Sequence, residues 1–249
     1  MDSIENPLPL SIVIPCYKEE KRLEPGLSRA IDYLSSHVQG RFELIFVNDG
    51  STDRTVEILE AAKQHYAGIP MEIASYLPNR GKGYAVRTGV LHSRGNQVLV
   101  MDADFSIELS EMFKFLAALD AVDIVIGTKK HRLTQTLKPQ DPLRRFLGKG
   151  YTVLAGIVLG LRFSDITCSF KAFRGEVARD IFRRQKINRW SYDSETLFLA
   201  KKLRYTTREL PVKWHHEEQS RVSPFIDTLR SSRELLAILS NYYTGKYGL

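Results

Sequence analysis

The chain has 249 residues, 43% hydrophobic and 26% charged, proportions that suit a soluble globular protein able to build one large core. Its two cysteines, Cys16 and Cys168, give no disulfide framework or thiolate metal site, so a reducing compartment is expected. The best uncharged run, Gly150 to Leu161, has 12 residues against the ~20 that a membrane-spanning helix needs, and Met1 to Leu10 lacks the basic and apolar segments of a secretory signal.

Strands and helices alternate from the start. Leu10 to Pro15 reads as a strand and Glu20 to His37 as a helix. Phe42 to Asn48 is a second strand, followed by a helix over Asp53 to His65 with Ser51 or Thr52 as its cap. Met71 to Tyr76 and Gln97 to Met101 continue the strands, with a helix from Tyr84 to His92 between them. Glu108 to Leu119 reads as helix and Val122 to Ile126 as strand. Such alternation predicts an α/β fold with a mostly parallel sheet and helices on both faces. Beyond a Lys-, Thr- and Pro-rich loop (Lys129 to Pro142), an apolar helix is expected over 143–161. A short strand near Ser169 to Phe173, two helices and a strand over Thr206 to Lys213 follow. Ile226, Leu229, Leu236 and Leu239 recur at helical spacing, predicting a C-terminal amphipathic helix. There is no internal repeat or low-complexity linker, and a single domain is expected.

The net charge of +7 is unevenly placed. Lys129 to Lys149 holds seven basic residues against one acid, and Lys171 to Arg189 seven against two, so the remainder of the chain is mildly acidic. Concentrated positive charge suits a phosphorylated ligand or an anionic membrane surface. Nucleic acid is disfavoured, because the basic segments lack interleaved aromatics for base stacking.

Several polar groups fall where strands run out, at the edge where open α/β sheets bind ligands. Asp102-Ala103-Asp104 follows the apolar run Gln97 to Met101, and two acids spaced i, i+2 can hold a hard divalent cation that also grips phosphate. Asp49 ends the second strand, where it can accept from a base or a ribose hydroxyl or simply form a turn. Asn79-Arg80-Gly81-Lys82-Gly83 opens a helix, and glycines flanking a lysine let backbone amides and an ammonium approach phosphate. The segment lacks both the P-loop spacing and Gly-x-Gly-x-x-Gly, which counts against NTP hydrolysis and dinucleotide dehydrogenation.

The ordered set Val13-Ile14-Pro15-Cys16-Tyr17-Lys18-Glu19, Val47-Asn48-Asp49-Gly50-Ser51-Thr52-Asp53, Asn79 to Gly83 and Met101 to Asp104 resembles family-two glycosyltransferases of the GT-A fold. Asp165 to Lys171, Arg189 to Glu195 and Glu209 to Trp214 are similar to the polyprenyl-phosphate branch of that family, and the likeness covers nearly the whole chain. Two positions depart from the pattern: Ser169 stands where glycine is usual, and Phe105-Ser106 follows the acids.

The resemblance implies an inverting transfer of a hexose from a nucleotide diphosphate sugar to a polyprenyl or dolichyl phosphate. Glucose is favoured and mannose is the alternative, from UDP-glucose or GDP-mannose, with Mg2+ or Mn2+ as cofactor. On this reading residues 1–127 hold the donor and 128–249 the acceptor. Pro15, Tyr17, Glu19 and Asp49 hold the nucleoside, Lys82 and Ala103 line the donor site, and Asp102 and Asp104 face the diphosphate with Asp104 the metal ligand. Arg221, with His216 as the alternative, closes over the diphosphate, and Arg144, Arg145 and Lys149 meet the lipid phosphate. Asp193 or Glu195 orients the donor sugar, acts as base toward a hydroxyl acceptor, or is merely an acid at a helix start. The uncharged helix after Arg144 reaches only about 18 Å, which suits lying in an interface beside cations, and peripheral attachment to the cytoplasmic face of a membrane is expected. A glycan or small-molecule hydroxyl acceptor, or a non-catalytic nucleotide-sugar- or membrane-binding module, are the competing expectations.

Overall fold

The computed structural model describes residues 9–38, 42–130, 134, 142–214 and 224–249; the side chains of 24, 25, 142–146 and 224–229 are outside the description. Its core is one seven-stranded sheet in the order β3-β2-β1-β4-β6-β5-β7. The strands are β1 Leu10–Cys16, β2 Phe42–Asp49, β3 Met71–Tyr76, β4 Gln97–Val100, β5 Ile124–Thr128, β6 Lys171–Arg174 and β7 Thr207–Pro211.

The central strands are buried on both faces, as strands of a parallel sheet must be, and every residue of β2 is buried. Their side chains alternate between two cores. Val13, Ile45, Val47, Val98 and Val100 face one layer, whereas Ile12, Ile14, Leu44, Phe46 and Leu99 face the other. The second of these layers is covered by α1 (Glu20–His37), α2 (Thr55–His65) and α4 (Glu111–Ala118). Against the first pack α3 (Lys82–His92), α5 (Pro142–Leu159), α6 (Gly175–Arg184), α7 (Tyr192–Lys202) and α8 (Pro224–Tyr243).

Six strands run one way and β6 runs against both of its neighbours, β4 and β5. A strand of only four residues, Lys171-Ala172-Phe173-Arg174, carries no directional signal in its sequence, and its orientation is fixed only by its pairing between β4 and β5. Strand order reverses between β1 and β4, and a crevice opens there at the carboxyl ends of the strands.

Two local expectations are corrected. Neither Ser51 nor Thr52 caps α2, whose N-cap position is Arg54. Ser51 instead accepts the Lys18 amide at 2.8 Å, and the Asp53 carboxylate takes the Thr55 amide at 3.2 Å. In α8 the core-facing residues are Leu235 and Ile238; Leu236 is 63% exposed and Leu239 only partly buried, while the side chains of Ile226 and Leu229 lie outside the description. The observed stripe is rotated by one residue, because α8 packs sideways against α5 as well as inward against α7.

Candidate functional site

A cleft of about 340 Å³ occupies the crevice, lined by the ends of β1, β2 and β4 and the start of α3. A shallower depression of about 450 Å³ lies behind α2 and β3 around Glu60, Lys63 and Pro70, and contains none of the motif residues.

The cleft forms because three turns are locked together. At the end of β2, Asp49 does not point outward. Its Oδ1 accepts the Arg80 amide at 2.7 Å, and its Oδ2 accepts the Gly81 amide at 2.9 Å and the Asn79 side chain at 2.7 Å. Asp49 is therefore the staple of the 79–81 turn, a role closer to the turn-forming alternative than to a nucleoside contact. Gly50 must be glycine, since its φ is +72° and a Cβ would lie 2.6 Å from the Asn79 amide nitrogen. At Gly81, with φ +106°, a Cβ would stand 2.6 Å from the Asn188 carbonyl oxygen, so the α3 start and the 188–190 segment pack backbone to backbone.

Lys82, in the first turn of α3, reaches Asp102 Oδ1 at 2.5 Å, while the Ser169 hydroxyl donates to Asp102 Oδ2. Burial pushes the Asp102 carboxyl up, but Lys82 and the Ser169 hydrogen bond outweigh it and hold the group at about 2. For Lys82, burial lowers the ammonium pKa, and Asp102 and Asp193 overcome that to leave it raised. Both Asp102 oxygens are thus engaged within the protein. Asp104 accepts the Ser106 amide at 3.0 Å and lies 3.6 Å from the Arg22 guanidinium, which forks onto the carboxylate of Glu19. The two acids have separated in role: Asp102 is the partner of Lys82, and Asp104 is the carboxylate facing cations across the cleft.

Of the residues singled out in the sequence, Pro15, Tyr17, Glu19, Asp49, Lys82, Asp102, Ala103 and Asp104 all line this cleft. Asp193 lies beneath it, 6% exposed, where it pairs with the buried Lys171. Burial pushes its carboxyl up despite Lys171 and Lys82.

Glu195 is placed elsewhere: it does not line the cleft, which corrects its expected direct contact with the donor sugar. It is fully buried, accepting the Lys186 amide at 2.9 Å, the Ile187 amide at 2.8 Å and the Tyr247 hydroxyl at 2.6 Å, so the i, i+2 spacing at the helix start turned only Asp193 toward the cleft. Lys149 is exposed on α5. The side chains of Arg144 and Arg145 on that helix, and residues His216 and Arg221, lie outside the described residues.

Three charged or aromatic cleft residues were not assigned from sequence. Arg22 carried no motif signal, because a basic residue in the charged first turn of α1 reads as a solvated face. Arg189 and Trp190 were visible within their segment but had no role, and both line the cleft, with the Lys82 ammonium 5.9 Å from the Trp190 ring.

A Gly-locked turn, an acid pair and convergent cations at a switch point define a site for an anionic nucleotide ligand. The family model of glycosyl transferase family 2 matches residues 11–182, and the chain belongs to that family; it is a glycosyltransferase. It is 32% identical over 251 residues to a mouse dolichyl-phosphate beta-glucosyltransferase, covering 96% of this chain and 78% of the relative. A Saccharomyces cerevisiae protein of the same description is 32% identical, with 96% and 76% covered. Among solved structures, glucosyl-3-phosphoglycerate synthase from Mycobacterium tuberculosis, in complex with Mn2+, UDP and glucosyl-3-phosphoglycerate, superposes with a TM-score of 0.60 at 18% identity, covering 97% of this chain and 81% of that one. The shared fold is GT-A, as the sequence motifs implied.

Proposed function

We propose that the protein transfers glucose, with mannose second, from a nucleotide diphosphate sugar to a polyprenyl or dolichyl phosphate at a membrane surface, with inversion. The observation that carries this reading is the convergence of Lys82, Arg22 and Arg189 with Asp102 and Asp104 in one cleft at the switch point. The names of the relatives favour glucose and dolichyl phosphate over the alternatives.

The chemistry follows from the partners of each acid. Glu19 is forked by Arg22, Asp49 by turn amides, Asp102 by Lys82 and Ser169, and Asp193 by Lys171. With these four carboxylates engaged and Asp104 proposed for the metal, the site suits a nucleophile that needs no general base. A phosphate monoester, with a second pKa near ~6, is such a nucleophile at neutral pH. Catalysis then rests on positioning and on cations where the diphosphate departs. Lys82 and Arg22 supply that charge, while Tyr17 and Trp190 flank the mouth.

Asp104, with Asp102 beside it, would hold Mg2+ or Mn2+. Asp104 fits as a hard oxygen ligand that already draws the Arg22 cation to 3.6 Å, whereas Asp102 would exchange its Lys82 or Ser169 contact for the ion. Among the described residues no three His, Cys, Asp or Glu side chains converge, and Asp104 and Asp102 are the ligands proposed from them. When bound, the ion neutralises charge on the leaving diphosphate. Arg221 closing over that diphosphate, and Arg144, Arg145 and Lys149 meeting the acceptor phosphate, belong to the same proposal.

Membrane contact is assigned to α5. Tyr151, Ala155 and Leu159 face the core, yet Val153, Leu154 and Ile157 are 61%, 38% and 76% exposed, and residues 142–164 contain no acid. An exposed apolar stripe flanked by Lys149 and Arg162 matches the interfacial helix pattern. No described helix is long and apolar enough to cross a bilayer. Attachment on the cytoplasmic face of that membrane belongs to the same proposal.

A donor panel of UDP-glucose and GDP-mannose with a short polyprenyl phosphate, with and without EDTA, tests the reading. UDP-glucose-dependent product that EDTA abolishes and that Asp104→Ala reduces at least about 100-fold is expected. Turnover indifferent to the lipid phosphate would sink it.

A further inference from the structure

The donor cleft has a wall, the segment 185–190, whose residues had no role assigned from sequence, and it is held from behind. Gln185 is fully buried and donates through Nε2 to the Gly83 carbonyl at 3.0 Å and the Ile187 carbonyl at 2.7 Å. The Tyr84 amide donates to the Asn188 carbonyl at 2.9 Å. A Cβ on Gly83 would sit 2.7 Å from the Ile187 carbonyl and 3.0 Å from that of Arg189. The wall therefore lies directly on the start of α3, the turn that carries Lys82, and presents Arg189 and Trp190 to the cleft.

The amides of Lys186 and Ile187 both donate to Glu195, and so does the Tyr247 hydroxyl. Tyr247, in the segment after α8, is 3% exposed. Its carbonyl and that of Gly248 accept from the Arg184 guanidinium at 2.8 and 2.9 Å, and Arg184 Nε donates to Asp180 at 3.0 Å. A buried carboxylate that collects two backbone amides and a phenol fixes the conformation of whatever those donors belong to.

We propose that Tyr247 and Glu195 are positioning residues for the donor: a clamp that sets the 185–190 wall, and with it Arg189 and Trp190, against the Lys82 turn. The clamp rests on the donor-cleft reading above, and touches neither substrate nor Asp104. Without the Tyr247 hydroxyl, Glu195 keeps its two amides but loses the donor that anchors it to the 244–249 segment, and the wall opens more readily.

The test uses Tyr247→Phe and Glu195→Gln, with Leu59→Val, buried in the opposite layer, as a comparison of similar stability loss. The expected result is faster hydrogen exchange at the Lys186 and Ile187 amides by about tenfold, the worth of a hydrogen bond to a charged group. UDP dissociation constants and donor KM should rise by a similar factor, with kcat changed less than about twofold and Leu59→Val showing neither effect. Glu195→Gln, which turns an NH2 group toward amide donors, should be the more severe of the two. If Tyr247→Phe lowers the melting temperature but leaves exchange at 186–187 and UDP affinity at the Leu59→Val values, the clamp is overturned. If the wild-type protein binds neither UDP nor GDP, the donor reading fails instead, and unchanged exchange at 186–187 would still refute the clamp on its own.

Discussion

Lys171→Met isolates the buried charge beneath the cleft. Lys171 is 2% exposed, and its ammonium donates to the carbonyls of Ile166 and Cys168 and to Asp193. Methionine keeps most of the stem volume but leaves Asp193, 6% exposed, with only the more distant Lys82 as a cation. Breaking one side of a buried pair costs about 3–5 kcal/mol; the lower end applies here, because Lys82 stays and Asp193 can take up a proton. Urea unfolding followed by circular dichroism should show that loss in midpoint with an unchanged slope. The double variant Lys171→Met, Asp193→Leu should recover most of it, because two apolar groups replace a pair whose desolvation it no longer bears. A pH series adds a sign. Burial already holds the Asp193 carboxyl above its unfolded value, and removing Lys171 raises it further. A group raised on folding stabilises the fold at acid pH and loses that contribution as pH rises through its folded value. The deficit of the single variant should therefore widen from acid to neutral pH. Single-variant costs that add in the double to within about 0.5 kcal/mol would refute the pairing argument.

Asp53 gives an opposite pH signature. Burial pushes its carboxyl up, but the Thr55 hydroxyl and amide and the Glu20 amide outweigh it and leave it lowered. Its contribution is present above the unfolded value near ~3.9 and lost as pH falls below it. Asp53→Asn should destabilise more at neutral pH than at strongly acid pH, where both side chains are uncharged, read from denaturation midpoints. Gly83→Ala places a Cβ 2.6 Å from Tyr192 Cβ and 2.7 Å from the Ile187 carbonyl oxygen. It should destabilise by about 1–3 kcal/mol and raise donor KM; full activity at wild-type stability would contradict the backbone packing described. Ile157→Glu, on the outer face of α5, should leave folding intact and abolish co-sedimentation with anionic liposomes at low salt, and retained binding would move the membrane contact elsewhere.

The α/β alternation was legible because long apolar runs separated by amphipathic segments have few other solutions, and the acid pair, Asp49 and Lys82 were legible because each sits where a strand or turn ends. Direction and partnership were not. The reversed β6 is four residues, Lys171-Ala172-Phe173-Arg174, that would read the same in either sense. Asp193 and Glu195 share a helix turn and a residue type, yet one lies under the cleft and the other behind its wall.

What the sequence by itself determined was the family, the sheet class and the cleft's chemical inventory, since these follow from local pattern and motif order. The tertiary structure alone decided the pairings: Asp102 with Lys82 and Ser169, Asp104 with Arg22, Asp193 with Lys171, and Glu195 with Tyr247. Each joins residues brought together only when separate strands and helices close over a common low-dielectric interior, where a carboxylate must find a partner and the nearest one is set by packing rather than by spacing along the chain.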